Sequence, residues 1–408
     1  MKERLEIFLS RPVLASSLSI LLVLICSFHF FNSLQLNLSV IVAITALIFF
    51  FSLTKEIKNF LFGPKKQIQN YLLVLSILLF SGIGIILNIQ NSKEIGFFVI
   101  LFFSFYLIFN LQDKTLNDYI FDLIIFSGIF ISIGVLIGLL ESLLFSSKIF
   151  YHTYDGYAYI DKKYIYSGFG LNHNYSAYII ITAQSFLFLN TSPLIERFRV
   201  HLASLFFLAL LVTSAKITFL FIALLLINYI FKDRFKKNCI TFLLLASYIF
   251  LSHVVIGLSG QYDFETSHYR EIFFSFAGLD FIIGSYGYQK GAYFSLLIDN
   301  MFLPMSVNEL KDVLLADPHC LIYSLIIIGG FPLALSVLTF LITGIYKSYQ
   351  NIEENYPKFF LCGLICIITE TLVWDANDSI FFWVLTMYAL NAPNENVTLN
   401  DKYKFVDH

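Results

Sequence analysis

The chain has 408 residues, of which 58% are hydrophobic and 13% are charged, and its formal net charge is -2. A soluble fold of this size could not bury so much apolar surface, so the composition predicts an all-α polytopic membrane protein. The near-neutral charge argues against a nucleic-acid-binding surface. The five cysteines show neither the spacing of a zinc site nor a disulfide framework.

Apolar runs predict about twelve transmembrane helices, at roughly 17–25 residues for each crossing. In chain order the runs cover 13–31, 36–53, 70–88, 95–111, 118–140, 174–190, 201–213, 217–231, 239–257, 320–346, 358–373 and 379–391. The basic start leads into the first run without a clear cleavage pattern, so we expect a retained helix rather than a signal peptide. Residues 1–408 are expected to form a single integral membrane domain.

The distribution of lysine and arginine predicts the orientation. Most of the 26 basic residues fall in segments such as 55–66 and 232–237, which the positive-inside rule assigns to the cytoplasm together with both termini. This assignment of the basic segments to one side of the membrane requires a turn near Thr213–Lys216, between two short apolar runs. The alternative is one long tilted helix, which would invert the orientation of everything that follows.

Two loops on the predicted outer side are longer than simple turns. The first covers 141–173 and contains six tyrosines within the sixteen residues 151–166. Aromatic faces suit sugar rings, but an interfacial aromatic belt is the favoured interpretation of these tyrosines. The second loop covers 258–319, in which REIFFSFAGLDFII predicts a short amphipathic helix at the membrane surface.

Three isolated side chains fall on this outer side. His319 precedes an apolar run, and an imidazole can act there as a general base near neutral pH. Arg270 lies in the second long loop, where a guanidinium can bind phosphate oxygens in a bidentate manner. Lys216 lies in the predicted turn, and a lone cation between apolar runs is functional by default. The alternatives are a histidine meeting headgroups, an arginine anchoring the amphipathic helix and a lysine snorkelling to the interface.

Other polar segments give weaker signals. In GFGLNHNYSAY (168–178), Asn172 and Asn174 offer donors and acceptors, although a loop followed by a capped helix is the favoured interpretation. Asp375 and Asp378 in VWDANDS favour a polar turn over a cation site. The outer loops contain no DxD pattern and the chain no HExxH, so we expect a metal-independent reaction without a cofactor.

Four stretches between about Gly168 and Phe331 together resemble the O-antigen polymerase and O-antigen ligase superfamily of bacterial membrane glycosyltransferases. They are GFGLNHNYSAY, LVTSAKI, HYREIFFSFAGLDFIIGSYGYQKG and DPHCLIYSLIIIGGF, and the resemblance depends on their order, spacing and common membrane side. Lys216 stands where the family usually has arginine, and Cys320 stands where asparagine commonly follows the histidine. These departures favour the polymerase over the ligase.

The resemblance implies an inverting glycosyl transfer at the periplasmic face of the bacterial inner (cytoplasmic) membrane, from an oligosaccharide on undecaprenyl diphosphate. His319 would take the proton of the acceptor hydroxyl, while Arg270 and Lys216 would stabilise the departing diphosphate. Membrane lipids and a chain-length regulator are the other implied partners. The residues assigned to substrate binding are Asn172, Asn174, Tyr288 and Asp317.

Three other functions stay open. An O-antigen ligase would transfer the glycan to lipid A-core rather than to another repeat unit. A transporter or flippase of lipid-linked oligosaccharides would place charged residues within the membrane, in paired broken helices. The apolar runs contain few charged residues, and Glu370, near the end of the eleventh run, is an exception. A structural scaffold would leave the isolated cations without a purpose.

Overall fold

The structure, a computed structural model, describes residues 2–27, 38–62, 68–111, 113–145, 149–157, 160–170, 173–189, 193–213, 215–258, 303–305, 321–351, 358–373 and 379–391. In these ranges the chain forms thirteen α-helices and one antiparallel pair of strands. The helices are α1 (Lys2–Cys26), α2 (Leu38–Phe51), α3 (Thr54–Phe62), α4 (Ile68–Leu87), α5 (Ser92–Asn110), α6 (Lys114–Leu144), α7 (His173–Leu187), α8 (Pro193–Thr213), α9 (Lys216–Ile230), α10 (Arg234–Leu258), α11 (Leu321–Asn351), α12 (Lys358–Val373) and α13 (Ile380–Asn391).

Several of these helices could cross a membrane. Four described segments are long and apolar enough: Ile68–Leu87, Ile89–Asn110, Thr115–Leu144 and Ser324–Tyr349. Four shorter apolar segments lie in α1, α2, α9 and α13. The outer face of α4 supports a membrane setting, because six of its exposed residues are apolar and repeat at helical spacing: Ile68, Leu72, Leu75, Leu79, Ile83 and Ile86. The total of about twelve crossings stays a prediction.

The first long loop contains a β-hairpin that the sequence analysis did not predict. Strand β1 (Tyr151–Tyr157) pairs antiparallel with β2 (Ile160–Tyr166), so a two-residue connection joins them. Tyrosine is frequent in both strands, β1 also has a threonine and β2 two isoleucines, and all three residue types favour the extended, pleated backbone. The all-α class therefore holds for the bundle, and the hairpin is an addition at one of its ends.

Contacts between side chains show the direction in which each helix runs relative to its neighbours. Helices α7 and α12 are antiparallel, because Tyr178 contacts Thr371 at one end of the pair and Phe186 packs on Phe360 at the other. Contacts of the same kind show that three more pairs are antiparallel: α4–α11, α6–α7 and α9–α12. Three other pairs are parallel: α1–α6, α5–α13 and α11–α13. The bundle thus has a hairpin end, where the β1–β2 pair lies and where α7, α9, α11 and α13 begin. We name the opposite end the basic end.

The chain reverses at Thr213–Lys216, as the distribution of charge predicts. Helix α8 ends at Thr213, Ala215 is extended, and α9 begins at Lys216. The Thr218 hydroxyl donates a 3.3 Å hydrogen bond back to the carbonyl of Leu210, which closes the turn. Since α7 and α9 both run antiparallel to α12, α8 must carry the chain back between them. One long tilted helix is therefore excluded.

The centre of the bundle is α13, which is buried along its length apart from the half-buried Tyr388. Trp383 packs edge-on against Phe98 and Phe102, with ring centroids 5.5 and 5.3 Å apart. Phe186 and Phe360 surround Tyr388 in the same way nearer the basic end. A helix that is apolar on every side suits this central position. Because lipid is as apolar as these rings, close packing rather than water exclusion stabilises them.

Helix α11 is broken near its start. Gly330 has φ 81° and ψ 171°, a left-handed backbone conformation that favours glycine. Next to the break, the carbonyl oxygen of Ile327 accepts from the backbone N–H of Met305 at 2.7 Å and from Asn91 Nδ2 at 3.4 Å. Irregular backbone is tolerated at membrane depth when its polar groups are satisfied in this way.

Candidate functional site

Most of the predicted site residues cannot be tested against this structure. Asn172, Arg270, Tyr288, Asp317 and His319 lie outside the described residues, as do Asp375 and Asp378. The same holds for most of the predicted loop 258–319 and for its amphipathic helix. Asn174 lies in the first turn of α7 and is half-buried. Lys216 is the first residue of α9, and only its backbone is described.

A buried polar cluster, which we name the Glu370 cluster, lies between α7, α10 and α12 and consists of Tyr178, Tyr248, Glu370 and Thr371. The Glu370 side chain is only 6% exposed and accepts a short hydrogen bond from the Tyr248 hydroxyl. One residue further along α12, Thr371 shares a 3.0 Å hydrogen bond with the Tyr178 hydroxyl. Glu370 also interacts electrostatically with Tyr178. A carboxyl group inside apolar helices is costly, which is why it requires such partners.

The turn that contains Lys216 packs beside this cluster. The Cys366 thiol contacts the carbonyl of Ile217 at 3.5 Å, and Cys366 precedes Glu370 by one helical turn on α12. Thr213 and Thr218 are buried at the turn, with hydroxyl oxygens 3.4 Å apart, and bond to freed backbone groups. The backbone at Lys216 therefore lies on the side of α12 that carries Glu370.

Asn174 reaches the same region from α7. It precedes Tyr178 by four residues, so both lie on one face of that helix. Two of the seven predicted site residues, Asn174 and Lys216, thus lie in the first turns of helices that pack around the Glu370 cluster. The residues of the cluster were not predicted as a site. The only signal for it in the sequence was the carboxylate of Glu370 within an apolar run.

The glycines before α7 have a structural explanation. Gly168 has φ 58°, and a Cβ there would lie 2.5 Å from the backbone of Gly134 on α6. A Cβ on Gly170 would lie 2.2 Å from the Ser176 hydroxyl, which bonds to the carbonyl of Ser167 at 2.7 Å. These glycines allow the loop to pack on α6 and α7. Close packing on α6 and α7 is thus a sufficient reason for glycine at both positions.

A second buried carboxylate fixes the start of the hairpin. Glu141, at the end of α6, is 5% exposed and accepts the backbone N–H groups of Ile149 at 2.9 Å and Phe150 at 2.8 Å. The neighbouring Ser142 shares a 3.0 Å hydrogen bond with the Tyr166 hydroxyl. The end of α6 is thus bonded to the chain just before β1 and to the last residue of β2. Sequence reasoning missed this role, because Glu141 was placed at the edge of a loop.

The chemistry available in the Glu370 cluster is that of a carboxyl group with hydroxyl donors. Such a group can hold a cation, exchange a proton or orient a polar ligand. Within the described ranges, no group of three or more His, Cys, Asp or Glu residues could hold a metal ion. Several helix ends converge here, which is a common arrangement for a ligand site within a helical bundle.

Comparison with known proteins finds no matching family model, no matching curated protein and no matching solved structure. The resemblance to the O-antigen polymerase and ligase superfamily therefore depends on the four sequence stretches alone. The function has to be inferred from those stretches and from the arrangement of the described residues.

Proposed function

We propose that the chain is a membrane glycosyltransferase of the O-antigen polymerase type, which joins undecaprenyl-diphosphate-linked glycan units at the hairpin end of the bundle. The observation that carries the proposal is the convergence of α7, α9, α10 and α12 around the buried Glu370. Asn174 and Lys216, two residues chosen from the sequence, lie in the first turns of helices that pack at this place. A buried polar cluster inside an apolar bundle suits a membrane-bound substrate with a polar head.

We further propose that the hairpin end faces the periplasm. The support is the position of the described basic residues, since Lys and Arg favour the cytoplasmic side. Those at the basic end are Lys55, Lys58, Arg197, Arg199, Lys232, Lys236, Lys237, Lys347 and Lys358. Cys239 offers a native test, because it is the exposed member of the four cysteines in the described part of the chain. In a Cys320→Ser variant, a membrane-impermeant maleimide should label Cys239 only after the inner membrane is opened, and labelling of Cys239 in intact spheroplasts would refute this orientation.

The proposed reaction has the residue roles that the resemblance implies. His319 takes the proton of the acceptor hydroxyl, whose oxygen attacks the anomeric carbon of the donor sugar. The bond from that carbon to the diphosphate oxygen breaks with inversion, and the lipid diphosphate leaves with the bonding electrons. Arg270 and Lys216 stabilise the negative charge on the leaving group. Losing one such contact is expected to cost on the order of 10²–10³ in rate.

A transporter of lipid-linked oligosaccharides is the second candidate. Two observations favour it: the buried carboxyl group of Glu370 and the break of α11 at Gly330. Ionisable residues within membrane helices and discontinuous helices are both frequent at transport sites. A polymerase requires no ion gradient, whereas a transporter coupled to one does, so the two candidates differ in a reconstituted system.

The proposed function is tested by complementing a deletion strain with His319→Ala and Arg270→Ala. Matched controls are His201→Ala and Arg197→Ala, since both residues are exposed on α8 near the basic end. We expect both site variants to lose long-chain polysaccharide at normal protein levels in the membrane, while the controls retain it. A polymerase defect leaves single repeat units on the lipid core, whereas a ligase or transport defect leaves none. Long chains at wild-type levels in both site variants would remove the assignment.

A further inference from the structure

Three tyrosine rings lie together on one face of the hairpin. Tyr151 pairs with Tyr166 across the two strands, and their ring centroids are 6.1 Å apart. Tyr164 lies two residues before Tyr166 on the same face, with the two rings 6.5 Å apart and only 11° from parallel. Tyr151 is 5% exposed, Tyr166 is half-buried, and Tyr164 is 42% exposed. This tyrosine stack therefore rises from a buried base to an accessible ring.

The tyrosine stack is held in place before any ligand arrives. The Tyr166 hydroxyl is bonded to Ser142 of α6, and Glu141 binds the backbone of the two residues that precede Tyr151. Side chains that are already ordered lose little conformational entropy on binding. Preorganised aromatic rings of this kind are typical of ligand-binding surfaces rather than of a loosely anchored loop.

The surroundings of the stack distinguish a glycan from a lipid as its occupant. The base of the hairpin packs beside the last turns of α6, because Tyr166 bonds to Ser142 and Phe150 lies against Gly138. The stack therefore lies near the end of the apolar segment Thr115–Leu144. In the strand register, the partners Thr153 and Tyr164 are followed by the partners Asp155 and Lys162. Strands that carry an aspartate and a lysine at the next paired position are unfavourable against acyl chains. A sugar, which has an apolar C–H face and a rim of hydroxyl groups, suits this combination of aromatic rings and polar sequence.

We propose that the tyrosine stack binds a pyranose ring of the glycan carried by the lipid-linked substrate, with Tyr164 as the ring that contacts the sugar. The proposal rests on the proposed function, and it names the part of the substrate that the hairpin recognises. It replaces the interfacial aromatic belt that the sequence favoured. In this arrangement the lipid diphosphate is bound within the helices, while the hairpin holds the sugar chain outside them.

Binding of the full-length protein in lipid nanodiscs to an array of bacterial surface oligosaccharides tests the proposal. We expect the wild type to bind at least one glycan, and Tyr164→Ala to bind it roughly fivefold to tenfold more weakly. Tyr164→Phe should bind like the wild type, because it keeps the ring face. Tyr229→Ala is the matched control, since Tyr229 is exposed at the basic end. The glycan affinities are compared only for variants whose thermal unfolding midpoint equals that of the wild type.

Three results would overturn the inference: a wild type that binds no glycan, a Tyr164→Ala variant that binds as well as the wild type, or a Tyr164→Phe variant as weak as the alanine variant. Failure of the proposed function gives a different pattern. In that case His319→Ala retains long-chain polysaccharide in cells, while the effect of Tyr164→Ala on glycan binding persists.

Discussion

Replacing Glu141 by alanine should release the hairpin from the bundle. In the native protein the carboxylate accepts two backbone N–H groups, from Ile149 and Phe150, in a site where its side chain is 5% exposed. Alanine removes both acceptors and leaves the two donors unsatisfied. Glu141→Gln keeps one carbonyl oxygen and should therefore give an intermediate effect.

The size of the effect follows from the two lost hydrogen bonds. Each bond to a charged acceptor is worth about 1.5–3 kcal/mol, so the local stability of the hairpin should fall by about 3–6 kcal/mol. At 1.4 kcal/mol for each factor of ten, amides of β1 and β2 should exchange on the order of 10²–10⁴ times faster. The glutamine variant should lie near half of this free-energy change.

Hydrogen exchange measured by mass spectrometry, with the protein in nanodiscs, reports this change directly. The control is Glu94→Ala, which removes an exposed carboxylate from the start of α5 near the same end of the bundle. Peptides that cover 149–166 should lose protection in Glu141→Ala, whereas peptides from α13 should not change. Hairpin exchange at the wild-type rate in Glu141→Ala would refute the role assigned to this carboxylate.

Two further predictions concern packing and the Glu370 cluster. Gly363→Ala should destabilise the protein by about 1–3 kcal/mol, because the new Cβ would lie 1.7 Å from the Ser185 hydroxyl. Gly82→Ala, where no atom lies within 4 Å of the added Cβ, should not destabilise it, and thermal unfolding in detergent compares the two. A double-mutant cycle of Tyr248→Phe and Glu370→Gln should give a coupling energy of about 1.5–3 kcal/mol in the same assay. Additive effects would show that the hydrogen bond between the two side chains contributes nothing.

The course of the helices could be predicted from the sequence because it depends on local patterns. The run 358–373 begins at a lysine and ends before a polar turn, and α12 has the same bounds. The reversal at Thr213–Lys216 followed from the basic flanks of α8 and α9, since only a turn keeps both on one side. Periodicity and charge thus predicted the bounds of α12 and the place where the chain reverses.

Contacts between distant segments could not be predicted in this way. Tyr248 and Glu370 are 122 residues apart in sequence, and nothing in either segment indicates that they meet. The hairpin was missed because its tyrosines were interpreted as a membrane belt, while the pairing of Tyr151 with Tyr166 depends on register. The role of Gly168 likewise depends on the approach of α6 at Gly134, which a single sequence does not reveal.

Reconstitution tests the central claim most directly. The purified chain is placed in liposomes with undecaprenyl-diphosphate-linked repeat units, without an ion gradient, and the glycans are resolved by size. The account predicts lipid-linked glycans of more than one repeat unit, and none when His319→Ala replaces the wild type. Glycans that stay at one repeat unit in the wild type, while the lipid-linked unit moves across the bilayer, would contradict it.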